Sequence, residues 1–134
     1  MGVSNPRSPS RGRLSRSAEF ERVYRRGRST ANRYLVLYAF RDAAGEVGRG
    51  PRLGVSVSRR IGGAVERNRV KRLLREAFAG AAGGLEDGQD LVIVARPSIG
   101  ELVERTGLAG VEESLTELMA KVGIMGEPEP EPEP

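Results

Sequence analysis

The sequence predicts one α+β domain, an α/β sandwich with a central, mostly antiparallel sheet and helices packed on it. Three observations carry this. The chain has 134 residues, which suits a single domain with one modest core. Apolar residues alternate in "RYLVLYAF" and "RLGVSVS" and run together in "QDLVIVARP", as strands do. Around these stretches they recur instead at helical spacing, so helices and strands share one core.

Residues 1–14 are rich in Ser, Pro, Gly and Arg and read as a flexible basic arm, with Leu14 its one large apolar residue after Val3. The folded domain is expected over 15–123. Residues 124–134 carry the repeated Glu-Pro pair and read as a disordered, extended tail, since proline blocks a helix and nothing there can be buried. Within the domain, Ser17 is placed to cap a first helix and Gly27 to stop it. Phe20 and Tyr24 share a face of that helix, with Val23 beside them. In the strand Arg33–Phe40, Tyr34, Val36, Tyr38 and Phe40 fall on one side and Leu35, Leu37 and Ala39 on the other. Both sides are apolar, which marks a central strand. "DAAGEVGRGP" is a turn or hairpin loop with room for a further strand. "RLGVSVS" then sets Leu53, Val55 and Val57 against Gly54, Ser56 and Ser58.

After the glycine-rich link "RRIGGA" the spacing predicts a helix from Ala64 to Ala79, stopped near Gly80 or Gly83. Val70, Leu73, Leu74, Ala77 and Phe78 gather on its apolar side. "QDLVIVARP" reads as a buried strand ended by Pro97, and "SIGELVER" as a short helix capped by Ser98. Val111, Leu115, Leu118, Met119 and Val122 space as a last amphipathic helix ending before Gly123.

Composition narrows the function. The formal charge is +4, but the Glu-Pro tail hides more: without its four glutamates, 22 basic residues face 14 acidic ones, or +8. A domain this basic is expected to meet a polyanion. All the basic residues except Lys71 and Lys121 are arginine, the side chain suited to bidentate phosphate contacts. A GC-rich coding sequence gives the same bias, so arginine content alone does not decide. Histidine is absent, which removes the usual acid–base pair for RNA cleavage. The three aspartates and scattered glutamates form no obvious metal-binding set, so neither catalytic residues nor a bound metal is expected in the protein. The lack of cysteine fits a reducing cytoplasm. No apolar run is long enough to span a membrane.

Two constellations stand out. "ERNRVKRLLREAF" sets five basic residues on about three and a half helical turns against Glu66 and Glu76 alone. Like charges three or four apart cost about 0.2–0.5 kcal/mol per pair, so an external anion is the natural neutraliser. A solvated charged face is the plainer alternative. The second constellation is aromatic: five of the six aromatic residues lie between Phe20 and Phe40. They suit either a base-stacking groove or ordinary core.

"LSRSAEFERVYRRGRSTANRYLVLYAF", "RLGVSVSRRIGGAVERNRVKRLLREAF" and "DLVIVARP" resemble the protein subunit of bacterial ribonuclease P, over about Arg13 to Val122. The resemblance implies a left-handed β-α-β crossover made by the basic helix, against the usual right-handed rule. It implies a ribonucleoprotein that removes the 5′ leader of precursor tRNA, with magnesium-dependent hydrolysis performed by the RNA subunit. The implied partners are that RNA and precursor tRNA, with one protein monomer per RNA. Arg67, Asn68, Arg69, Lys71, Arg72 and Arg75 would face the RNA subunit. Phe20, Tyr24, Val36 and Tyr38 would line the leader cleft, with Arg59 and Arg60 near its edge and Arg13 and Arg16 on the arm. The acidic tail departs from the basic ending usual in such proteins. The rival readings are a general RNA-binding protein of ribosomal type and a nuclease that acts without an RNA subunit.

Overall fold

Strand alternation decides the layering. In the computed structural model, which describes residues 13–14, 17–41, 50–85 and 88–124, Leu35, Leu37 and Ala39 are buried while Val36, Tyr38 and Phe40 are half-buried. The first set joins the main core. The second faces a smaller cluster on the other side of the sheet.

The elements are α1 (Ser17–Arg26), β1 (Arg28–Ala31), β2 (Leu35–Arg41), β3 (Arg52–Ser56), α2 (Ala64–Ala81), β4 (Gln89–Ala95) and α3 (Ile99–Val122). The strands form one sheet in the order β1-β2-β4-β3. β2 is antiparallel to both β1 and β4, whereas β3 and β4 are parallel, with α2 as the connection between them. The sheet is therefore mixed but mostly antiparallel, and β2 and β4 are its inner strands, as their two-sided apolar character requires.

Leu53, Leu91 and Ile93 join Leu35 and Leu37 on the main-core face. Against them pack the expected stripe of α2, from Val70 to Phe78, and Val111, Leu115, Leu118 and Met119 of α3. On the opposite face Val23 of α1 and Leu14 are buried against Val92.

Several expectations are corrected. β1 is an unforeseen strand: "RSTA" is short and polar, and it pairs at the sheet edge where exposure is tolerated. The loop that had room for a further strand falls largely outside the described residues. The two C-terminal helices are one run kinked at Gly107, whose φ of 59° and ψ of −140° break the helix. Tyr34 leaves the face of Val36 and Tyr38. It precedes β2 at a bend and packs on the main core, and Arg105 donates a hydrogen bond to its hydroxyl at 3.2 Å. Asn32 makes the bend, because its Oδ1 accepts from the N–H groups of Tyr34 and Leu35, both at 2.9 Å. Ile124, assigned from sequence to the tail, is fully buried in the core just beyond the left-handed Gly123 cap. Leu14, assigned to the flexible arm, is also buried, and its N–H donates to the Leu53 carbonyl at 2.9 Å.

One ion cluster ties α1 to the sheet. Asp90 is fully buried, and Arg52 grips it with two hydrogen bonds of 2.9 Å, one from Nε and one from Nη2. The remaining Arg52 nitrogen reaches Glu19 of α1 at 3.0 Å. Arg22 of α1 approaches the same aspartate at 3.9 Å and lies 5.8 Å from the centre of the Phe40 ring. The hydrogen bond to Asp90, with both carboxylates nearby, holds the Arg52 guanidinium above its ordinary pKa despite partial burial. Breaking a buried pair costs about 3–5 kcal/mol, whereas replacing both partners by apolar groups is often neutral. Arg52→Met is thus expected to lower stability by about 3 kcal/mol. The double replacement Arg52→Met with Asp90→Leu should lie closer to wild type, as read from urea denaturation of all three chains.

Candidate nucleic-acid interface

The sheet face under α1 is covered at one end and open at the other. Cross-strand neighbours on one face form rows. In one row Tyr38 pairs with Ser29 on one side and Val92 on the other, and Val92 pairs with Gly54. Val23, Leu14 and Phe20 cover this row. Gly54 lets the Phe20 ring seat this closely, since a Cβ would lie 2.5 Å from Cζ of the ring and would displace it. The next row is Ala31, Val36, Val94 and Ser56, where Ala31 is exposed and the others are half-buried.

Aromatic rings wall this open row. The Tyr24 and Tyr38 ring centres are 4.8 Å apart at 84°, an edge-to-face pair, and Phe20 lies 6.5 Å from Tyr24. Tyr24 is 41% exposed. Burial, and secondarily Tyr38, push the Tyr24 phenol above its ordinary pKa, so it remains a neutral hydroxyl donor at neutral pH. Phe20, Tyr24 and Tyr38 therefore stand together, and Val36 follows Tyr38 on the same face of β2. Arg59 and Arg60 are exposed in a short helical turn that begins after Val57 and Ser58, which follow β3. Arg16 lies outside the described residues.

Sequence reasoning missed Val94, Ser56 and Gly54 as parts of this groove. Their signal was register, which one strand read alone does not contain. It also missed Arg96, an exposed residue whose Nη1 donates to the Asn32 carbonyl at 3.1 Å just beyond Val94.

The basic helix divides its cations between two flanks. Asn68, Lys71, Arg72 and Arg75 stand at helical spacing along one side and line a cavity of about 400 Å3 with Glu76, Ala79 and Arg13. Arg67 does not join them: its Nε donates to the Gly62 carbonyl at 3.2 Å, back toward the start of the helix. Arg69 lines a separate cleft of about 230 Å3 with Glu66, Val70, Val103 and Glu104. The two carboxylates of the helix have local tasks. Glu66 accepts from the Gly63 N–H at 3.0 Å and caps the first turn, and Glu76 meets Arg72 at 3.6 Å. Burial, and then Arg13, hold the Arg75 guanidinium below its ordinary pKa.

Among the described residues no group of three or more His, Cys, Asp or Glu side chains could hold a metal ion. No helix there is long and apolar enough to cross a membrane. The arrangement offers donors for phosphates on α2 and stacking faces in the groove.

The sequence from residue 9 to 123 matches the family model described as ribonuclease P. Over 113 residues the chain is 43% identical to the ribonuclease P protein component of Brevibacillus brevis, covering 84% of each protein. It is 40% identical to that of Caldanaerobacter subterraneus over 117 residues, covering 87% of this chain and 94% of the relative. The fold superposes on the RNase P protein of Staphylococcus aureus with a TM-score of 0.73 at 29% identity, over 85% of this chain and 97% of that one. It superposes on that of Thermotoga maritima with a TM-score of 0.71 at 31% identity, over 82% and 96%.

The fit of Phe20 over Gly54 sets the groove wall. Gly54→Ala is expected to leave the sheet intact and push the Phe20 ring outward, at a cost of about 1–3 kcal/mol for overpacking. Aromatic proton shifts of Phe20 and Tyr24 should change while the amide pattern of β2 and β4 is kept.

Proposed function

The chain belongs to the ribonuclease P protein family, and on that premise we propose that it binds the catalytic RNA with α2 and the single-stranded 5′ leader of precursor tRNA with the open groove. As a family member it is the protein component of an endoribonuclease that processes tRNA. In this reading hydrolysis and its magnesium belong to the RNA, and the protein, one per RNA in the cytoplasm, binds and orients. The observation that carries the reading is the stripe Asn68, Lys71, Arg72 and Arg75, four donor side chains lining one cavity on a helix whose other face is core. Phosphates are the ligand such donors fit, and their arrival removes the repulsion along the helix.

The groove suits a flexible single strand. Tyr24 and Tyr38 present aromatic faces and hydroxyls beside an apolar floor at Val36 and Val94, and a base stacked there contributes without sequence preference. Arg59 and Arg60 stand at its rim to meet backbone phosphates. A duplex is too wide to bring its stacked bases onto such a floor, which favours the leader over the tRNA body.

The test is reconstitution with a ribonuclease P RNA at low magnesium. The protein should restore cleavage of precursor tRNA and show none without the RNA. Tyr24→Ala and Tyr38→Ala should each weaken precursor tRNA by about 1–3 kcal/mol, with mature tRNA bound as before and saturated turnover little changed. Val23→Ala serves as the core control, because Val23 is fully buried and its loss should reduce thermal stability instead. If the tyrosine variants lose precursor and mature tRNA equally, the leader lies elsewhere.

A further inference from the structure

The sheet has two edges, and the described residues occupy only one of them. Arg13 and Leu14 lie along β3, whereas β1 has β2 on one side and no strand among the described residues on the other. The outward backbone groups of β1 follow from its register. The Asn32 N–H donates to the Leu35 carbonyl at 3.0 Å, and the same antiparallel ladder sets Thr30 opposite Leu37 and Arg28 opposite Ala39. Bonded and unbonded pairs alternate in such a ladder, so Thr30 and Arg28 turn their backbone groups to β2. Ser29 and Ala31 turn theirs outward, and both residues are exposed. An edge of this kind is a template for another strand.

The chain itself carries a segment with the matching period. Ile124 is fully buried, and a Cβ on Gly123 would lie 3.8 Å from Nη1 of Arg28, so α3 ends beside the start of β1. Asn32, at the other end of β1, bonds to Ser114 and Glu117, so α3 runs against β1. A segment that turns back after Ile124 therefore runs parallel to β1. Ten residues follow Ile124: Met125, Gly126 and four Glu-Pro pairs. A strand meets one neighbour through the backbone groups of every second residue. In a Glu-Pro repeat those residues can all be glutamate. The N–H that proline lacks then falls on the solvent side, where an edge strand tolerates its loss. Residues before proline also favour extended backbone. In the parallel alignment this phase sets one glutamate opposite Arg28 and the next opposite Thr30, with prolines opposite Ser29 and Ala31. A carboxylate thereby meets an exposed arginine. The third glutamate approaches Glu117 beside Asn32, and the pairing ends there.

We propose that the Glu-Pro segment, residues 127–134, docks on the β1 edge as a parallel fifth strand and covers it against pairing with other chains. Attachment at Ile124 keeps the segment at high effective concentration, and proline leaves it few conformations to lose. The inference does not rest on the RNA-binding reading.

The experiment follows amide hydrogen exchange at Ser29 and Ala31 in the full chain and in a chain shortened to Gly126, with Ile93 in the middle of the sheet as reference. An amide bonded for about nine-tenths of the time exchanges about tenfold more slowly. That difference is expected at Ser29 and Ala31, with Ile93 unchanged. Two variants separate strand pairing from simple charge attraction. Glu129→Gln with Glu131→Gln removes charge and keeps the N–H groups, so most of the protection should remain. Glu129→Pro with Glu131→Pro removes the same charge together with the N–H groups, so the protection should be lost. Equal exchange in the full and shortened chains overturns the proposal. So does wild-type protection in the proline variant, or complete loss in the glutamine variant. Protection that rises with protein concentration assigns the edge to a second copy and overturns it as well.

Discussion

The groove depends on a buried charge. Asp90 sits on β4 between Phe40 and Arg52, on the sheet face that α1 covers. Its carboxylate is fully buried and both oxygens are held by Arg52. An ion in such a place is tolerated only with good geometry and hydrogen bonding, which Arg52 supplies, and α1 adds Glu19 against Arg52 at 3.0 Å and Arg22 at 3.9 Å from the aspartate. That requirement fixes α1 over one end of the sheet. Next to it Phe20 closes on Gly54, where a Cβ would displace the ring. The far row, from Ala31 to Ser56, is left open. A shift of α1 by one turn, about 5.4 Å, would part Glu19 from Arg52 and Arg22 from the aspartate. The bare floor is a consequence of where the charge is buried.

The basic helix obeys a different constraint. It connects two adjacent parallel strands, so it must lie against the sheet, and its stripe from Val70 to Phe78 has no other place to go. The remaining positions are pushed outward, and the sequence fills them with cations. Glu66 is used up as a cap at the helix start, where the dipole favours it, and Glu76 pairs only with Arg72. Neither compensates Lys71 or Arg75. Local stability is set by the apolar stripe, which leaves the outer face free to be chosen for a ligand.

Much of this was legible from periodicity. Alternation in β2 separated Leu35, Leu37 and Ala39 from Val36 and Tyr38, and the helical period of α2 named all five of its buried residues. The stop at Gly123 followed from its left-handed preference. What stayed hidden is what one element does not contain. The Arg52–Asp90–Glu19 cluster joins three elements, and each partner alone reads as an ordinary surface charge. Tyr34 was misplaced because alternation assumes an unbroken strand, and Asn32 ends the strand by capping the bend. β1 is too short and polar to show a period. Within the basic block, the family resemblance grouped Arg67 and Arg69 with their neighbours. The backbone at Gly62 and the cleft beside α3 draw those two aside, leaving Asn68, Lys71, Arg72 and Arg75 as the set that shares one cavity.

The arm resolves a further problem of the sheet. With the order β1-β2-β4-β3, β3 is an edge, and exposed edges invite pairing with other chains. Leu14 and Arg13 occupy part of that edge through the contact with Leu53. Successive residues of an extended segment point to opposite faces, so a docked dipeptide serves both sides of the sheet at once. Leu14 enters the apolar cluster beneath the groove wall, and Arg13 turns to the cavity on α2. Two surfaces on opposite faces of the sheet thereby share one edge and one short segment. Anything that moves the segment alters both, because it removes apolar support from one and a cation from the other.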